Sequence, residues 1–262
     1  MSGLENDLIV NIHAGIMTIR LNRPKVNALT TDLVRSMQET FRQAERDGQV
    51  RVVVLTGSGS TFSAGQDLTE VKRAEDTSFR YHLQRTYNPL VLQIRRLEKP
   101  VLAAINGAVS GAAFGIALAC DLRIASESAR FVVGFLGIGL APDSAISLLL
   151  PALIGLGRAS EFAFTNASVD AQEALALGLV NRVVPAAELE SQAAGLAAEL
   201  ARGPVHVMGL TKRAFNKAVL PHLEEVLDYE AHIQDIAGRG EEHKEGVRAF
   251  LEKRPASYYP LK

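Results

Sequence analysis

Cysteine is all but missing from this chain: Cys120 is the single one among 262 residues. An internal disulfide framework is therefore excluded, and a reducing compartment fits. An excess of charge of one sign is missing too. Lys and Arg number 28 against 29 Asp and Glu, with no basic block or stripe, so the electrostatic footprint of a nucleic-acid binder is absent and no such partner is expected. The opening "MSGLENDLIV" carries acids where a signal or transit peptide would carry basic residues, and no apolar run follows. A cytoplasmic protein is the expectation. The six histidines are scattered without ligand spacing, which indicates no metal site. The one long uncharged run, "VLAAINGAVSGAAFGIALAC" over 101–120, is rich in Ala and Gly rather than Leu and Ile, and Asn106 and Ser110 interrupt it. It reads as a buried strand followed by a tightly packed helix, and Cys120 as a small core residue; no membrane partner is expected.

What remains is a globular composition, 47% hydrophobic and 22% charged, long enough for one large core or a core with an appendage. "DLIVNIHAGIMTIRLNRP" alternates around Ala14-Gly15 and predicts a hairpin. "TTDLVRSMQETFRQAERDG" puts Leu33, Met37, Phe41 and Ala44 on one helical face, with Thr30 or Thr31 as N-cap and Gly48 as the stop. Short continuous apolar runs, "RVVVLTG", "KPVLAAING", "CDLRIAS" and "ARFVVG", predict buried strands between such helices, hence an α/β core. From residue 157 onward the pattern is helical, interrupted by "LVNRVVP" as the one strand. The expected organisation is a core over 1–185 and a C-terminal helical region over 186–262 that packs on the core or on a neighbouring subunit.

Two glycine-bearing segments follow predicted strands. In "LTGSGSTFSAGQDL", residues 55–68, a dinucleotide fingerprint fails because Phe62 stands where the third glycine is needed. "SAGQD" instead leaves backbone N–H groups free at a helix start, where they can meet an anion or a carbonyl oxygen. In "INGAVSGAAFGIALACD" the small residues at 107–113 permit close backbone approach, and a helix starts there in the same way; Ser110 does not satisfy the G-x-S-x-G nucleophile pattern. A third stretch, "GFLGIGLAPDSAISLLL" over 134–150, is nearly all apolar yet holds one carboxylate, Asp143. Asp or Ser ahead of "AISLLLP" is also an ordinary helix N-cap, so Asp143 is either a cap, with Ser144 as its alternative, or a group kept for chemistry.

Taken in order and spacing, "RPKVNAL", "GSGSTFSAGQDL", "KPVLAAINGAVSGAAFGIALACDLRIAS", "ARFVVGFLGIGLAPD", "EALALGLVNRVV" and "EGVRAFLEKR" resemble the enoyl-CoA hydratase/isomerase (crotonase) family over nearly the whole chain. "GQDL", "YNPLV", Pro142-Asp143 and "DIAGR…EGVRAFLEKR" look most like its ring-1,2-epoxyphenylacetyl-CoA isomerase branch. The resemblance implies a crotonase-like spiral core of β-β-α repeats, with the C-terminal helices serving trimerisation and covering the acyl-CoA site. It implies an acyl-CoA thioester substrate, coenzyme A as its carrier with no prosthetic group, and a trimer or pair of trimers.

The resemblance also assigns residues. The thioester carbonyl would be held between the backbone N–H groups of Gln66 and Ala112, donors suited to the negative oxygen of an enolate. Lys25, Val26 and Ala28 lie where the family's first loop meets coenzyme A, Ala64 and Leu68 where it meets adenine and pantetheine, and Lys253 where a C-terminal base approaches the phosphates. The two glutamates of the family's hydratases are replaced by Gly115 and Phe135. The acid left at the isomerase position is Asp143, and a 1,3-proton shift needs a single base. An apolar wall of Phe131, Phe135 and Leu136 is expected to raise its pKa toward the useful range. The outcome expected is an isomerase, with a hydratase and an inactive acyl-CoA binder as alternatives; "SAISLLLP" favours the binder, because it puts bulkier residues where the isomerase branch has glycines. Asp67 is expected to cap a helix start and shape its loop, and Tyr87 and Asn88 to line the acyl pocket, with His82 as a further candidate.

Overall fold

The computed structural model describes residues 7–23, 25–73 and 78–259. Its main sheet has six strands in the order β1-β2-β3-β5-β7-β10: Leu8–His13, Ile16–Leu21, Val52–Gly57, Val101–Ile105, Leu122–Ser126 and Arg182–Val184. β1 and β2 form the expected hairpin, turned by Ala14 and Gly15 at φ of 49° and 81°, and every later pairing is parallel. A second sheet, β4-β6-β8-β9, is made of three-residue strands, Thr61–Ser63, Ala108–Ser110, Arg130–Val132 and Ser168–Asp170. β3, β5 and β7 each pass their chain on to a strand of the small sheet, the β-β-α repeat of a crotonase-like spiral core.

The periodicity of the central strands explains the layering. Val53, Leu55, Val101, Ala103, Ile105 and Ala125 face the larger core, while Val52, Val54, Leu102, Ala104 and Ile124 face the opposite way. Both faces are covered, which is why these strands read as unbroken apolar runs. Against the first face lies α1, Thr31–Arg46, whose Thr30 Oγ1 accepts from Leu33 N and whose Leu33, Met37, Phe41 and Ala44 are buried as their spacing predicts. Each large side chain of that stripe contributes roughly 1.5–3 kcal/mol.

The remaining helices before β10 are α2 (Leu68–Arg73), α3 (Phe79–Arg85), α4 (Tyr87–Arg96), α5 (Ala112–Ala119), α6 (Ile146–Ile154), α7 (Leu156–Thr165) and α8 (Ala171–Leu177). α5 has every residue buried, so its sequence lacks a polar face. Cys120 follows it in the core, its thiol pushed up to about 12 by burial. After β10 come α9 (Leu189–Arg202), α10 (Val205–Val219), α11 (Leu223–Gly238) and α12 (Glu241–Glu252). α9 covers the second sheet face through Leu189, Ala193, Ala197 and Ala201. No helix of the described residues is long and apolar enough to cross a membrane.

One expectation is corrected: "LVNRVVP" is not the sole strand after residue 157, since Ser168–Asp170 pairs antiparallel with β8. Three residues are too few to show a period of two, and the same brevity hid β4 and β6.

Candidate functional site

The loop from Arg23 to Leu29 is fastened by Asn27. Its φ of 50° is one that Asn tolerates; its Nδ2 donates to Ser58 O and Thr61 O, and its carbonyl accepts from Ser63 Oγ. So held, the loop runs beside residues 64–67: Ala64 N donates to Val26 O, Leu29 N to Gly65 O at 2.8 Å, and Asp67 N to Leu29 O at 2.9 Å. In this parallel bridge Leu29 bonds to the neighbours of Gln66 on both sides. The N–H of Gln66 is consequently turned away from Leu29 and has no partner among the described residues.

Ala112 opens α5 after Gly111, whose φ of 58° and ψ of −137° belong to glycine. Its N–H is one of the donors that no helix can satisfy internally, and it too is unpartnered among the described residues. The two loops touch. A Cβ at Gly65, which has a φ of 83°, would lie 2.7 Å from Ser110 O and 3.4 Å from Ala112 N. Glycine at 65 and 111 is what brings the two free donors to one place.

Both donors border a cavity of about 550 Å³, as do Val26, Ala28, Ala64, Leu68 and Asp143. Its other walls are largely apolar, including Phe79, Val132, Phe135, Ile138, Leu140, Phe250 and Leu251. Lys25 and Lys253 are exposed and do not border it; Lys253 is the left-handed C-cap of α12. Phe131 and Leu136, expected in the wall, do not border it either. Phe131 alternates into the core from β8 and packs on Phe114 at 5.9 Å between ring centroids, while Leu136 starts a 3-10 turn over Leu136–Ile138. Tyr87 and Asn88 are likewise corrected: both are buried outside the cavity lining, where Tyr87 meets His82 edge-on and Asn88 Nδ2 donates to Leu227 O. His82 is also absent from the lining, and burial lowers its pKa.

Asp143 is 3% exposed and is not a helix cap. Ser144 Oγ donates to its Oδ1 at 2.7 Å and Gln234 Nε2 to its Oδ2 at 2.9 Å. Burial raises its pKa from 3.8 to about 6, against these two bonds, which lower it. Ser144, the alternative cap, spends its hydroxyl on Asp143. α6 starts instead from Ala145, whose own side chain makes no cap. The cap comes from α11: Glu230 accepts from Ala145 N at 2.7 Å, from Ser147 N at 2.9 Å and from Ser147 Oγ. Burial pushes the Glu230 carboxyl up to about 7, with these bonds opposing and the nearby Asp143 charge adding.

Gln234 stands one turn after Glu230. Its Oε1 accepts from Ala141 N at 3.1 Å, which leaves Nε2 as the end that faces Asp143. α11 thus grips the 141–147 segment at both ends. Between the grips Ser144 and Ala145 have φ of 57° and 65°, a left-handed pair costing about 1–2 kcal/mol per residue. Their backbone takes a course that glycine adopts without strain.

Asp67 caps as expected. Its Oδ1 accepts from Thr69 N and Thr69 Oγ1, and Arg23 Nη2 lies 2.6 Å from Oδ2; desolvation opposes ionisation, yet these partners hold its carboxyl below the usual range. Gly115 has its own constraint: a Cβ there would lie 2.5 Å from Ser144 O, so the Ser144 backbone fills the space of any side chain at 115. Sequence reasoning missed Gln234 and Glu230. The visible signal was polar residues at core positions of α11, in phase with Leu223, Leu227 and Ala231.

The β-β-α spiral on which this cavity sits is the crotonase fold. Residues 11–260 match the enoyl-CoA hydratase/isomerase family model, and the chain belongs to that family. It is 37% identical to the 1,2-epoxyphenylacetyl-CoA isomerase of Escherichia coli over 96% of this chain and 97% of that protein. It is 39% identical to a probable enoyl-CoA hydratase of Rhodobacter capsulatus, over 94% and 95%. Among solved structures, the enoyl-CoA hydratase of Mycobacterium avium subsp. paratuberculosis superposes with a TM-score of 0.88 at 34% identity, covering 97% of this chain and 98% of that one.

Proposed function

We propose that this protein is an acyl-CoA isomerase in which Asp143 is the single general base and acid. The observation that carries the reading is the placement of a buried carboxyl, titrating at about 6, on the same cavity as the free N–H groups of Gln66 and Ala112. With a 3-enoyl-CoA, the Asp143 carboxylate removes a proton from the carbon next to the thioester. The electron pair moves into the carbonyl, and the two N–H groups hold the resulting oxyanion, each donor contributing roughly 3–4 kcal/mol. The carbonyl re-forms as Asp143 returns its proton two carbons further along, giving the conjugated 2-enoyl-CoA. Opening of an aryl epoxide next to the thioester would draw on the same enolate-type stabilisation.

Water addition is disfavoured by the site. Neither Gly115 nor Phe135 can act as acid or base, and Ser144 occupies the space beside Gly115. In this reading Val26, Ala28, Ala64 and Leu68 receive the coenzyme A portion, and Lys25 and Lys253, exposed on flexible stems, meet its phosphates. Exposed apolar side chains such as Phe164, Phe215, Tyr229 and Ile236 support assembly of the protein as a homotrimer or pair of trimers, and we place it in the cytoplasm.

Incubation with a 3-enoyl-CoA, followed by ultraviolet absorbance of the conjugated product, tests the reading. Signal that grows with the wild type and vanishes in Asp143→Asn is expected. Tight binding without turnover, or consumption of 2-enoyl-CoA in water, would overturn it in favour of a binder or a hydratase.

A further inference from the structure

α12 begins against the loop that carries Ile138. A Cβ at Gly246 would lie 2.5 Å from Ile138 C, and one at Gly139 would lie 2.6 Å from His243 N, so the contact is backbone on backbone. Within it His243, 7% exposed, places Nδ1 2.8 Å from Ile138 O. A carbonyl can only accept, so Nδ1 bears a proton, and in the neutral form of the ring Nε2 is an acceptor with an open lone pair. Phe79 packs edge-on against the ring at 5.4 Å. Among the described residues Nε2 has no hydrogen-bond partner, and His243 borders the cavity beside Phe79, Ile138 and Leu140.

An acceptor set in an apolar wall is costly to desolvate unless the ligand brings it a donor. Asp143 also borders the cavity, but in the proposed reaction it serves the carbon next to the thioester, so a donor further along the acyl group is left to Nε2. We propose that His243 is a specificity-determining residue whose Nε2 selects acyl-CoA substrates carrying a hydroxyl on the acyl group, away from the thioester. The selection rests on the acyl-CoA reading of the site. An acyl group that offers acceptors alone gains nothing at Nε2.

Calorimetric titration of the full chain with matched, unreactive saturated acyl-CoAs tests this without turnover. Suitable pairs are ω-hydroxyacyl-CoAs of medium chain length against alkyl acyl-CoAs of equal length, and 4-hydroxyphenylacetyl-CoA against 4-methylphenylacetyl-CoA. For at least one pair the hydroxylated member should bind about tenfold more tightly, the scale of one hydrogen bond in a desolvated site. In His243→Phe that preference should fall to about one, and in His243→Gln, which restores an acceptor oxygen, part of it should return. Using a ratio cancels any general loss of folded protein, and His243→Leu, which also lacks an acceptor, stands in with the same expected ratio of about one if the Phe variant does not fold. Equal binding across every pair, or a preference that survives in His243→Phe, overturns the proposal. Failure of wild type to bind any acyl-CoA overturns the acyl-CoA reading along with it; binding with hydroxyl preference but no isomerisation of 3-enoyl-CoA overturns the isomerase reading alone.

Discussion

Replacing Asp143 by Asn should abolish turnover and at the same time make the protein progressively more stable than wild type as the pH rises. Asp143 titrates at about 6 when folded, against an ordinary value of 3.8. Between those two values the native protein keeps a proton that the unfolded chain has released. Fewer protons are then bound in the unfolded state, so the stability of the wild type falls as pH rises through this window. The full displacement corresponds to about 3 kcal/mol. Asn does not titrate, and the variant escapes the loss. Glu230 titrates in both proteins, and its part cancels except for the share caused by the Asp143 charge, which works in the same direction. Urea unfolding at a fixed protomer concentration, followed by far-ultraviolet circular dichroism, should show the stability difference between variant and wild type growing by about 2.5 kcal/mol from about pH 4 to about pH 8, the remainder of the displacement lying below about pH 4. The change with pH is the robust readout, because the new amide also faces the Gln234 donor and shifts both ends of the scale equally. A difference that stays constant over that range would refute the burial argument, and with it the claim that this acid is tuned for proton transfer.

Gln234→Leu removes a donor that lowers the Asp143 pKa; the acidic limb of the pH–rate profile, where the base becomes protonated, should move upward from about 6, with kcat falling more than KM rises. Gly65→Ala forces a Cβ toward Ser110 O in a φ region that alanine resists, so the two donors separate and kcat should drop by about a hundredfold or more, measured as isomerase rate at saturating substrate. Gly115→Glu should not create a hydratase, because its side chain collides with the Ser144 backbone; reduced stability in the urea assay and no hydration of 2-enoyl-CoA are expected.

Local pattern alone determined much of this molecule. The buried strands β3, β5 and β7, the hairpin at Ala14-Gly15 and the stripe of α1 follow from periodicity, which a chain carries whatever its distant contacts. That backbone N–H groups are left free at two helix starts was legible in "SAGQD" and in the small residues of 107–113, whereas their identity as Gln66 and Ala112 came only with the family resemblance. The second sheet was not legible: strands of three residues have no measurable period, and their pairing is decided by the larger sheet that delivers them.

That Asp143 does not cap α6 was decided by tertiary structure. Beside "SAISLLLP" an acid is as good a cap as a base, and nothing within several residues distinguishes the two. The decision came from α11, whose Glu230 caps α6 from 85 residues away and whose Gln234 reaches Asp143 across 91. Freed from capping, the carboxyl is buried on the cavity that Gln66 and Ala112 also border. A sequence states which residues repeat; it does not state which distant side chain takes over a backbone N–H, because that choice depends on how whole elements pack.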